Sequence, residues 1–407
     1  MKQGWKIMKL GDLCSFERGL TYSKGDEADL STKGVLRSNN VDLASNTLNF
    51  DEIKYLKEDI DIPVSKKVKR NSLLMCMSNG SKAHLGKVAI VEDDLDYAFG
   101  GFMGLLIPNE EIVFPRYFYY ALITPMYKLY IKGLSDGANI NNLKFADLKE
   151  FDIPVPSLSE QQRIVDLLDA EFAKIDALKA NAEKNLQNAK DLFQAALKKE
   201  LEPKEGWKKS IVGNVCSIIS GYAFDSQGYS SNENDTLLIC GDNIVHCAFR
   251  WETIKRWNKD KYENLRRFAI QENDIVLAMD RPWVKSGLKI AKVSKRELPS
   301  LLIQRTACIR AKEGIESEFI YFALQNDAFS KYLIEQQTGV GVPHISGKQI
   351  MNYEISLPSL PIQQSIVSRL DTLNEKCKAL QANYEKTLSL CDDLKQALLR
   401  KEFNGEI

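Results

Sequence analysis

One stretch of this sequence occurs twice, and no other feature restricts the possible folds as strongly. Residues 156–165 read PSLSEQQRIV and residues 358–367 read PSLPIQQSIV, and each stretch continues into a long segment with apolar residues spaced alternately four and three apart. Heptad spacing sustained over such a length is typical of a coiled coil. Each copy therefore predicts a strand-like exit followed by a long helix, which runs from Ser159 to Leu201 in the first copy and to Phe403 in the second.

The two helices carry start signals and share one heptad register. Ser159 with Gln162 three residues later forms a capping box, and Pro361 lies near the first turn of the second helix, where its missing N–H costs nothing. The alternative, two surface helices on a globular core, is disfavoured because such helices seldom keep a heptad this long. The coiled-coil and partner contacts expected from the seams are Leu168, Ile175, Leu178, Leu192, Leu370, Leu373, Leu380, Tyr384, Leu394 and Leu398.

The repeat extends over the whole chain. Gly4-Trp5-Lys6 returns as Gly206-Trp207-Lys208, at an offset of 207 − 5 = 202 residues, and the same offset relates many later positions. Such matching indicates a unit of about half the chain that is used twice in tandem. We predict a first domain at residues 1–157, a first helix at 158–202, a second domain at 203–359 and a second helix at 360–407.

Each predicted domain mixes strands and helices. Residues 72–77 and 274–279 are apolar runs followed by polar loops, which is typical of buried strands. Residues 114–131 and 319–334 show helical periodicity and are rich in Tyr and Phe. A glycine-containing loop follows each helix, at 135–139 and 338–344, and one more strand leads into the long helix.

Charge is balanced overall but unevenly distributed. The chain has 55 Lys and Arg against 55 Asp and Glu, which taken alone speaks against nucleic acid binding. Binding needs only a local positive face, however. No acidic residue lies between Asp61 and Glu92, or between Asp280 and Glu297. The bases in these stretches are Lys66, Lys67, Lys69, Arg70, Lys82 and Lys87, and then Arg281, Lys285, Lys289, Lys292, Lys295 and Arg296.

Several functional classes are poorly supported. The sequence contains neither a GxxxxGK[ST] phosphate loop nor a glycine-rich cofactor fingerprint, and only three histidines. We therefore expect no catalytic residue, no cofactor and no metal site; Cys240, His246 and Cys247 cannot supply four local ligands. The eight cysteines suit a reduced interior. No apolar run of membrane-spanning length and no signal peptide are present, so we expect a cytoplasmic protein without membrane contact.

The polar loops after the two apolar strands are the best candidates for a binding function. Residues 78–82 and 280–286 occupy matching places in the repeat but differ in sequence, as expected if one scaffold recognises two different targets. Asn and Arg side chains can form bidentate bonds to adenine and guanine in the major groove. The candidate DNA contacts are Arg37, Asn39, Asn40, Lys66, Lys67, Lys69, Arg70, Asn79, Ser81 and Lys82 in the first half, and Arg250, Lys255, Arg256, Arg281, Trp283, Lys285 and His344 in the second.

For any one of these residues, a structural role is the alternative. The segment around Arg250 and Lys255 could be a solvated charged face, with Trp251 and Trp257 in the core. His344 could simply help to form a tight turn with Gly341.

The tandem Gly-Trp-Lys openings and the two PSLxxQQxIV stretches before long helices resemble the specificity subunit of type I restriction–modification systems. The resemblance covers essentially the whole chain. It implies an α+β fold: two tandem-duplicated α/β target-recognition domains separated by two long helices that form an antiparallel coiled coil. Each domain would recognise one half of a bipartite site in double-stranded DNA, and the helices would set the spacing between the halves.

The resemblance also implies partners. Two modification subunits would carry the S-adenosylmethionine site and methylate adenine, and two restriction subunits would hydrolyse ATP and translocate DNA. The chain itself would not be an enzyme. The alternative is a coiled-coil scaffold for protein interactions that does not recognise DNA, although such a scaffold has no need of paired acid-free loops.

Overall fold

The computed structural model describes residues 4–136, 142–337 and 343–404. The chain divides into two compact units: unit 1 comprises Met1–Glu183 and Lys386–Ile407, and unit 2 comprises Lys184–Glu385. Each unit therefore contains a mixed α/β region together with segments of both long helices. The glycine-containing parts of the two predicted loops, residues 137–139 and 338–342, lie outside the described residues.

Unit 1 begins with a strand that pairs with the last strand of the same domain. Its strands are β1 (Lys6–Lys9), β2 (Cys14–Arg18), β3 (Glu27–Ala28), β4 (Lys33–Leu36), β5 (Lys54–Leu56), β6 (Leu73–Cys76), β7 (Val88–Ile90), β8 (Ala98–Phe99), β9 (Met103–Pro108) and β10 (Asp152–Val155). Its helices are α1 (Leu10–Leu13), α2 (Pro115–Ala121), α3 (Pro125–Asp136), α4 (Phe145–Lys149) and the first part of α5 (Leu158–Glu200).

Two four-stranded sheets form the body of unit 1. The first has the order β2-β9-β6-β7 and is antiparallel throughout. The second has the order β3-β5-β4-β8, in which only β4 and β8 are parallel. Strand β1 pairs antiparallel with β10, so the start of the domain is tied to the strand that leads into α5.

The apolar run of β6 is explained by burial on both faces of its sheet. Leu73 and Met75 point into one hydrophobic cluster, with α2 and α3, whereas Leu74 and Cys76 point into a second cluster on the other face. Side chains alternate across a strand, so a strand covered on both sides needs apolar residues at every position. The predicted strands at 72–77 and 274–279 are thus confirmed as central strands.

Unit 2 repeats this order of elements with two added two-stranded hairpins. Its strands are β11 (Lys208–Ile211), β12 (Cys216–Ser220), β13 (Tyr229–Ser230), β14 (Thr236–Ile239), β15 (Ile244–Val245), β16 (Ala248–Phe249), β17 (Lys255–Trp257), β18 (Ile275–Ala278), β19 (Trp283–Val284), β20 (Gly287–Leu288), β21 (Ile290–Lys292), β22 (Ser300–Leu302), β23 (Thr306–Ala311) and β24 (Glu354–Leu357). Its helices are α6 (Val212–Val215), α7 (Ser317–Gln325), α8 (Asp327–Gln336), α9 (Gly347–Met351) and the first part of α10 (Leu360–Asn404).

The two units share one topology. The sheets of unit 2 have the orders β12-β23-β18-β21 and β13-β17-β14-β22, with β14 and β22 as the parallel pair, and β11 pairs with β24. Each order matches its counterpart in unit 1 strand for strand. The predicted tandem duplication of an α+β domain is therefore confirmed.

The single helices predicted at 114–131 and 319–334 are each two helices, so this part of the prediction was wrong. In unit 1 the break falls before Pro125, which starts α3, and the Thr124 hydroxyl accepts the N–H of Tyr127 at 3.2 Å. In unit 2 the Asn326 side chain accepts the N–H of Ala328 at 3.0 Å and caps α8. Capping groups restart the chain in a new direction while the apolar periodicity continues.

The long helices start at Leu158 and Leu360. The hydroxyl of Ser157 accepts the N–H of Glu160 at 3.4 Å, so Ser159, the predicted cap, lies inside the first turn. Pro361 occupies the first turn of α10 as predicted.

The first glutamine of each QQ pair fastens the helix start to its domain. Gln161 is fully buried; its side chain accepts the N–H of Phe114 at 2.8 Å and donates to the carbonyls of Ile112 and Pro156, each at 3.0 Å. Gln363 makes equivalent bonds, from the N–H of Glu316 at 2.9 Å and to the carbonyl of Pro358 at 2.9 Å. The second glutamine of each pair is exposed. The repeated motif is therefore a structural clamp.

Within each unit the segments of α5 and α10 run antiparallel. In unit 1, Asp176 pairs with Lys395 at 2.5 Å and Lys179 with Asp392 at 2.8 Å, so residue numbers rise on one helix as they fall on the other. In unit 2 the guanidinium of Arg369 binds Glu200, with the shorter contact at 2.6 Å. The predicted antiparallel helix pairing is confirmed within each unit.

The predicted seam is half right. Leu168, Ile175 and Leu370 are buried, and Leu373, Tyr384 and Leu398 are half-buried. The other leucines assigned to the seam, which are Leu178, Leu192, Leu380 and Leu394, are between 41% and 51% exposed. On α5 the aromatic residues Phe172 and Phe193 pack inward instead. The four exposed leucines therefore lie beside the helix seam, so their assignment to the seam was wrong, whereas their assignment as partner contacts stays a prediction.

Membrane insertion through helices finds no support in the described part of the chain. None of its helices is both long enough and apolar enough to cross a bilayer.

Candidate nucleic-acid interface

Three turns meet at one end of the sheets in each unit, and we call this region the loop end. In unit 1 it comprises residues 37–40 after β4, 78–84 after β6 and 100–102 before β9. The N–H of Gly100 donates to the Leu36 carbonyl at 2.9 Å, and the N–H of Met77 donates to the Phe102 carbonyl at 2.9 Å. These backbone bonds hold loops that are far apart in sequence in one place. They line a concave cavity of about 560 Å³.

Polar side chains from different turns interact in this cavity. The amide of Asn79 donates to the Ser38 hydroxyl at 2.8 Å, and its carbonyl oxygen accepts the N–H of Ser81 at 2.9 Å. Arg37 is half-buried beside Tyr22, whose pKa is raised by burial in spite of the nearby guanidinium. The Arg37 Nε atom is buried and lacks a hydrogen-bond partner among the described residues. Arg37, which lines the cavity, therefore carries one buried donor that is unpaired among the described residues.

Asn40 does not belong to this interface, and its prediction as a DNA contact was wrong. It is fully buried, its Oδ1 accepts the N–H of Arg37 at 2.8 Å, and its Nδ2 donates to the carbonyls of Asn49 and Glu52. Asn243 does the same in unit 2. An amide that bonds three backbone groups of its own domain has a structural role. Its neighbour Asn39 is exposed at the loop end.

The acid-free stretch between Asp61 and Glu92 does not form one positive face. Lys69 and Arg70 precede β6, whereas Asn79, Ser81 and Lys82 follow it, so the two groups lie at opposite ends of this strand. Acidic residues from other segments also form ion pairs with the lysines of this stretch. Lys67 pairs with Asp96, and Lys66 lies 3.6 Å from Glu17. Sequence spacing alone overestimated the positive charge here.

A second cavity in unit 1, of about 510 Å³, is lined by four basic residues: Lys82, Lys87, Lys128 and Lys132. The ammonium of Lys82 donates to the Ser135 carbonyl at 2.9 Å, and that of Lys87 donates to the Val41 carbonyl at 2.7 Å. Burial lowers the pKa of both Lys87 and Lys128. Concentrated positive charge of this kind attracts anions such as phosphate groups.

The loop end of unit 2 comprises residues 240–243, 280–286 and 303–305. The N–H of Ile303 donates to the Ile239 carbonyl at 2.9 Å, and the N–H of Met279 donates to the Arg305 carbonyl at 2.9 Å. Arg281 and Lys285 are exposed, and Lys285 lies at the tip of the β19–β20 hairpin. Trp283 is half-buried and packs against the core of unit 2. Trp283 therefore anchors the start of the hairpin in the core, and the hairpin holds Lys285 at the surface.

His344 and Asp280 contact each other at this loop end. His344 Nδ1 lies 2.5 Å from Asp280 Oδ1, and Asp280 Oδ2 lies 3.1 Å from the Nη1 atom of Arg305. The backbone of residue 280 also bridges to residue 344. The structure thus brings His344 to the same loop end as Arg281 and Lys285.

The remaining bases predicted in unit 2 make contacts within their own domain. The Arg256 guanidinium donates to the Asp235 carbonyl at 3.0 Å, and the Lys255 ammonium lies 5.6 Å from the centre of the Tyr229 ring. Arg250 lies 3.8 Å from Glu252 and is exposed. The nearby Trp251 and Trp257 are half-buried against hydrophobic clusters, as the structural alternative proposed.

Sequence reasoning missed two residues, Phe102 and Arg305, that project at the loop ends. The Phe102 side chain lines the cavity of unit 1 although the residue is 72% exposed. Arg305 holds its guanidinium at the surface, with 61% of the side chain exposed. Each lies one residue before a core strand. The repeat offset of 202 residues pairs Phe102 with Gln304, so the equivalence of Phe102 and Arg305 is seen only in the backbone bonds of the fold.

No group of three or more His, Cys, Asp and Glu side chains with a metal-binding arrangement occurs in the described ranges. Cys240 Sγ contacts the Asn243 side chain at 3.1 Å, and Cys247 Sγ contacts the Gln325 side chain at 3.2 Å. His246 Nδ1 lies 3.2 Å from the carbonyl of Leu288. Cys247 Sγ also lies 3.6 Å from His246 Nε2, whereas Cys240 has a different neighbour, Asn243.

Comparison with known proteins identifies relatives of this chain. The family model for the type I restriction modification DNA specificity domain matches twice, at residues 2–188 and 204–389. The EcoKI specificity subunit of Escherichia coli strain K12 is 25% identical over 430 residues, which cover 100% of this chain and 90% of the relative. The StySPI specificity subunit of Salmonella potsdam is 24% identical over 425 residues, with the same coverage of 100% and 90%.

Solved structures show the same fold. A structure that describes complex assembly and conformational transition of the type I R-M system has a TM-score of 0.80 at 19% identity, covering 100% of this chain and 99% of that chain. The HsdS subunit of Thermoanaerobacter tengcongensis has a TM-score of 0.54 at 19% identity, covering 100% and 98%. With two matched specificity domains and this tandem fold, the chain belongs to the family of DNA specificity subunits of type I restriction–modification systems.

Proposed function

We propose that this chain recognises a bipartite DNA target, with each unit binding one half-site at its loop end. In this proposal α5 and α10 set the distance between the half-sites, and the subunit docks two modification subunits and two restriction subunits that carry the methyltransferase and translocase activities. DNA readers that place two recognition elements at a set distance impose a fixed half-site spacing.

The observation that carries the proposal is one scaffold with two different loop ends. Backbone bonds at equal places, from Met77 to Phe102 and from Met279 to Arg305, hold the turns in the same way. The side chains they present differ: Asn79 and Arg37 in unit 1, and Arg281 in unit 2. An identical frame with different polar side chains is what two different base sequences require.

The exposed leucines support docking of two like partners. Leu178 and Leu394 belong to unit 1, and Leu380 and Leu192 belong to unit 2. The repeat relates them, because 178 + 202 = 380 and 192 + 202 = 394. Each unit therefore offers one leucine from α5 and one from α10 beside its helix seam. Exposed apolar side chains that recur at equivalent places are suited to bind one copy of a partner per unit.

Mapping N6-methyladenine tests the proposal directly. The chain would be co-expressed with its cognate modification subunit in a host without other adenine methylation, and the host genome sequenced for methylated motifs. We expect one bipartite motif with a fixed gap. The matched control is the modification subunit expressed alone, which should leave the motif unmethylated.

The same experiment separates the alternatives. A stable complex without sequence-specific methylation would support the coiled-coil scaffold that does not recognise DNA. Failure of the two proteins to form any complex would contradict the docking part of the proposal.

Lengthening both long helices tests their role as a spacer. Seven residues inserted into α5 and seven into α10 near residues 183 and 385 add about 10 Å of helix, which corresponds to about 3 base pairs of DNA. We expect the gap of the methylated motif to grow while both half-sites stay the same. A motif with the original gap would contradict the spacer role.

Charges placed on the leucine surface test partner docking. Leu178→Asp combined with Leu380→Asp should weaken binding of the modification subunit in gel filtration, because the aspartates would be desolvated in an apolar contact. The matched control is Ala177→Asp with Ala379→Asp, two exposed neighbours related by the same repeat. Equal binding by both double variants would show that the leucines are not the contact.

A further inference from the structure

Phe102 and Arg305 occupy one position of the duplicated scaffold. The N–H of Gly19 donates to the carbonyl of Met103 at 3.1 Å, and the N–H of Gly221 donates to that of Thr306 at 3.1 Å. Phe102 and Arg305 are the residues just before these two strands, and each accepts a backbone bond from the end of the central strand of its sheet. Equivalent backbone bonds therefore hold an apolar side chain, Phe102, in unit 1 and a cationic side chain, Arg305, in unit 2.

In unit 1 the projecting group is apolar. Phe102 is 72% exposed on a cavity whose other walls include Arg37, Ser38 and Asn79. An aromatic ring held in water among polar groups gains stability when an apolar surface covers it. The apolar feature of a DNA major groove is the methyl group of thymine.

In unit 2 the projecting group is a positioned cation. Asp280 binds Arg305 Nη1 at 3.1 Å through one oxygen and His344 Nδ1 at 2.5 Å through the other. Arg305 also has a φ of +69°, a left-handed backbone conformation that non-glycine residues rarely adopt. A guanidinium has five N–H donors, so the contact with Asp280 orients it while leaving donors for a second acceptor.

The anchor changes together with the projecting residue. A backbone bridge joins Asp280 to His344 in unit 2, and the corresponding bridge in unit 1 joins Ser78 to Asn142. The acidic residue and its histidine partner therefore occur where the projecting residue is arginine, and uncharged residues occur where it is phenylalanine. This coupling is expected if the anchor serves to position the arginine.

We propose that this position determines base specificity in both half-sites: Arg305 hydrogen-bonds the O6 and N7 atoms of a guanine in the half-site of unit 2, and Phe102 contacts the methyl group of a thymine in the half-site of unit 1. Asp280 is a positioning residue for Arg305. The inference rests on the proposed function, because it assigns bases to loop ends that must first bind DNA.

The test uses the complex of this chain with its modification subunit and DNA duplexes carrying the mapped motif. Single-base changes in each half-site would be scored by initial methylation rate. Arg305→Ala should lower the rate on the cognate duplex by about 5- to 150-fold, the value of one bidentate base contact, and should relax specificity at one guanine only. Arg305→Lys keeps the charge but loses the planar fork, so it should also relax specificity there.

Modified bases make the contact visible atom by atom. Replacing the assigned guanine by 7-deazaguanine removes the N7 acceptor, so it should slow the unaltered complex but cause no further loss in Arg305→Ala. Replacing the assigned thymine by uracil removes only the methyl group, so it should slow the unaltered complex but not Phe102→Ala. Asp280→Ala should weaken guanine discrimination less than Arg305→Ala does.

The controls are Arg296→Ala, an exposed arginine before β22, and Leu129→Ala, an exposed apolar residue on α3. Both should keep the full motif. If Arg305→Ala and Phe102→Ala behave as these controls do while the unaltered complex methylates a bipartite motif, the specificity assignment is overturned and the proposed function stands. If the unaltered complex shows no such motif, the proposed function itself fails. Gel filtration of each complex separates loss of specificity from loss of assembly.

Discussion

Gln161→Met removes the clamp at the start of α5 with little change in side-chain volume. The substitution removes the acceptor of the Phe114 N–H and the NH₂ group that donates to the carbonyls of Ile112 and Pro156. Each buried polar group that stays unpaired costs about 1–3 kcal/mol. We expect the free energy of unfolding of unit 1 to fall by about 2–5 kcal/mol, since three backbone groups lose this partner and relaxation recovers part of the loss.

The matched control is Gln162→Met. Gln162 is adjacent and exposed, and its side chain donates to the Asp166 carboxylate at 2.7 Å one turn away. A pair of this kind on a helix surface contributes about 0.2–0.5 kcal/mol. The two variants therefore make the same chemical change at neighbouring positions, and only the buried one should matter.

Hydrogen exchange measured by mass spectrometry is the sharpest assay, because the backbone N–H of Phe114 loses its acceptor in the variant. Peptides containing Phe114 should exchange faster by roughly tenfold or more in Gln161→Met, while peptides of unit 2 should not change. Thermal unfolding should show a lower midpoint than for Gln162→Met. Equal exchange and equal midpoints in the two variants would refute the clamp.

Two further predictions concern ion pairs in unit 2. Arg310 holds the buried Asp274 carboxylate through two bonds of 2.8 and 2.7 Å, so Arg310→Leu should destabilise the subunit by about 3–5 kcal/mol in urea unfolding, and an unchanged midpoint would contradict this. The hydrogen bond from Arg369 lowers the pKa of Glu200 below its ordinary value of 4.5. Its contribution is therefore present above pH 4.5 and lost as the pH falls through the lower folded-state value. Glu200→Gln should remove this part of the acid sensitivity, so between pH 5 and pH 3 the variant should lose less stability than the unaltered chain, by about 1 kcal/mol or less, and an equal loss in both proteins would contradict this.

Membership of the specificity-subunit family also defines what the chain does not do. Specificity subunits of type I systems are non-catalytic, and the activities of the complex lie in other subunits. Variants of this chain should therefore change where methylation occurs, or whether the complex assembles, without changing the chemistry of methyl transfer.

The duplication and the α+β class could be predicted because they leave a regular pattern in the sequence. A constant offset of 202 residues relates Trp5 to Trp207 and Gln161 to Gln363, and insertions that would obscure it are few. The apolar run at 72–77 likewise indicated the strand that the structure shows as β6. Such features can be seen in the order of residues alone, so they could be predicted without the structure.

The helix seam was predicted only in part for a physical reason. The alternating four-and-three spacing placed Leu178 and Leu192 in the seam, whereas the structure packs the next residues, Lys179 and Phe193, inward. Lys179 nevertheless lies against the partner helix, because its stem packs while its ammonium binds Asp392. A pattern built on hydrophobicity alone cannot separate leucines that face the partner helix from leucines on the outer surface.

The loop ends depended on contacts that are far apart in the sequence. Arg305 and Phe102 have no local signal, because their position is defined by backbone bonds to the end of a different strand. Asn40 shows the opposite error: an Asn in a polar turn suits base recognition, but the fold uses all of its hydrogen bonds internally. Nonlocal pairing decides which polar residues remain available.

The division of α10 between the units has a consequence for synthesis on the ribosome. Leu399 and Phe403 complete the core of unit 1, and Phe403 stacks on Tyr117 across 403 − 117 = 286 residues of chain. Unit 2 is one continuous segment, Lys184–Glu385, which is translated in between. At roughly 5–20 residues per second its synthesis takes about 10–40 s. The unit that emerges first is thus finished last, and its apolar core around Tyr117 and Leu168 lacks Leu399 and Phe403 during that interval.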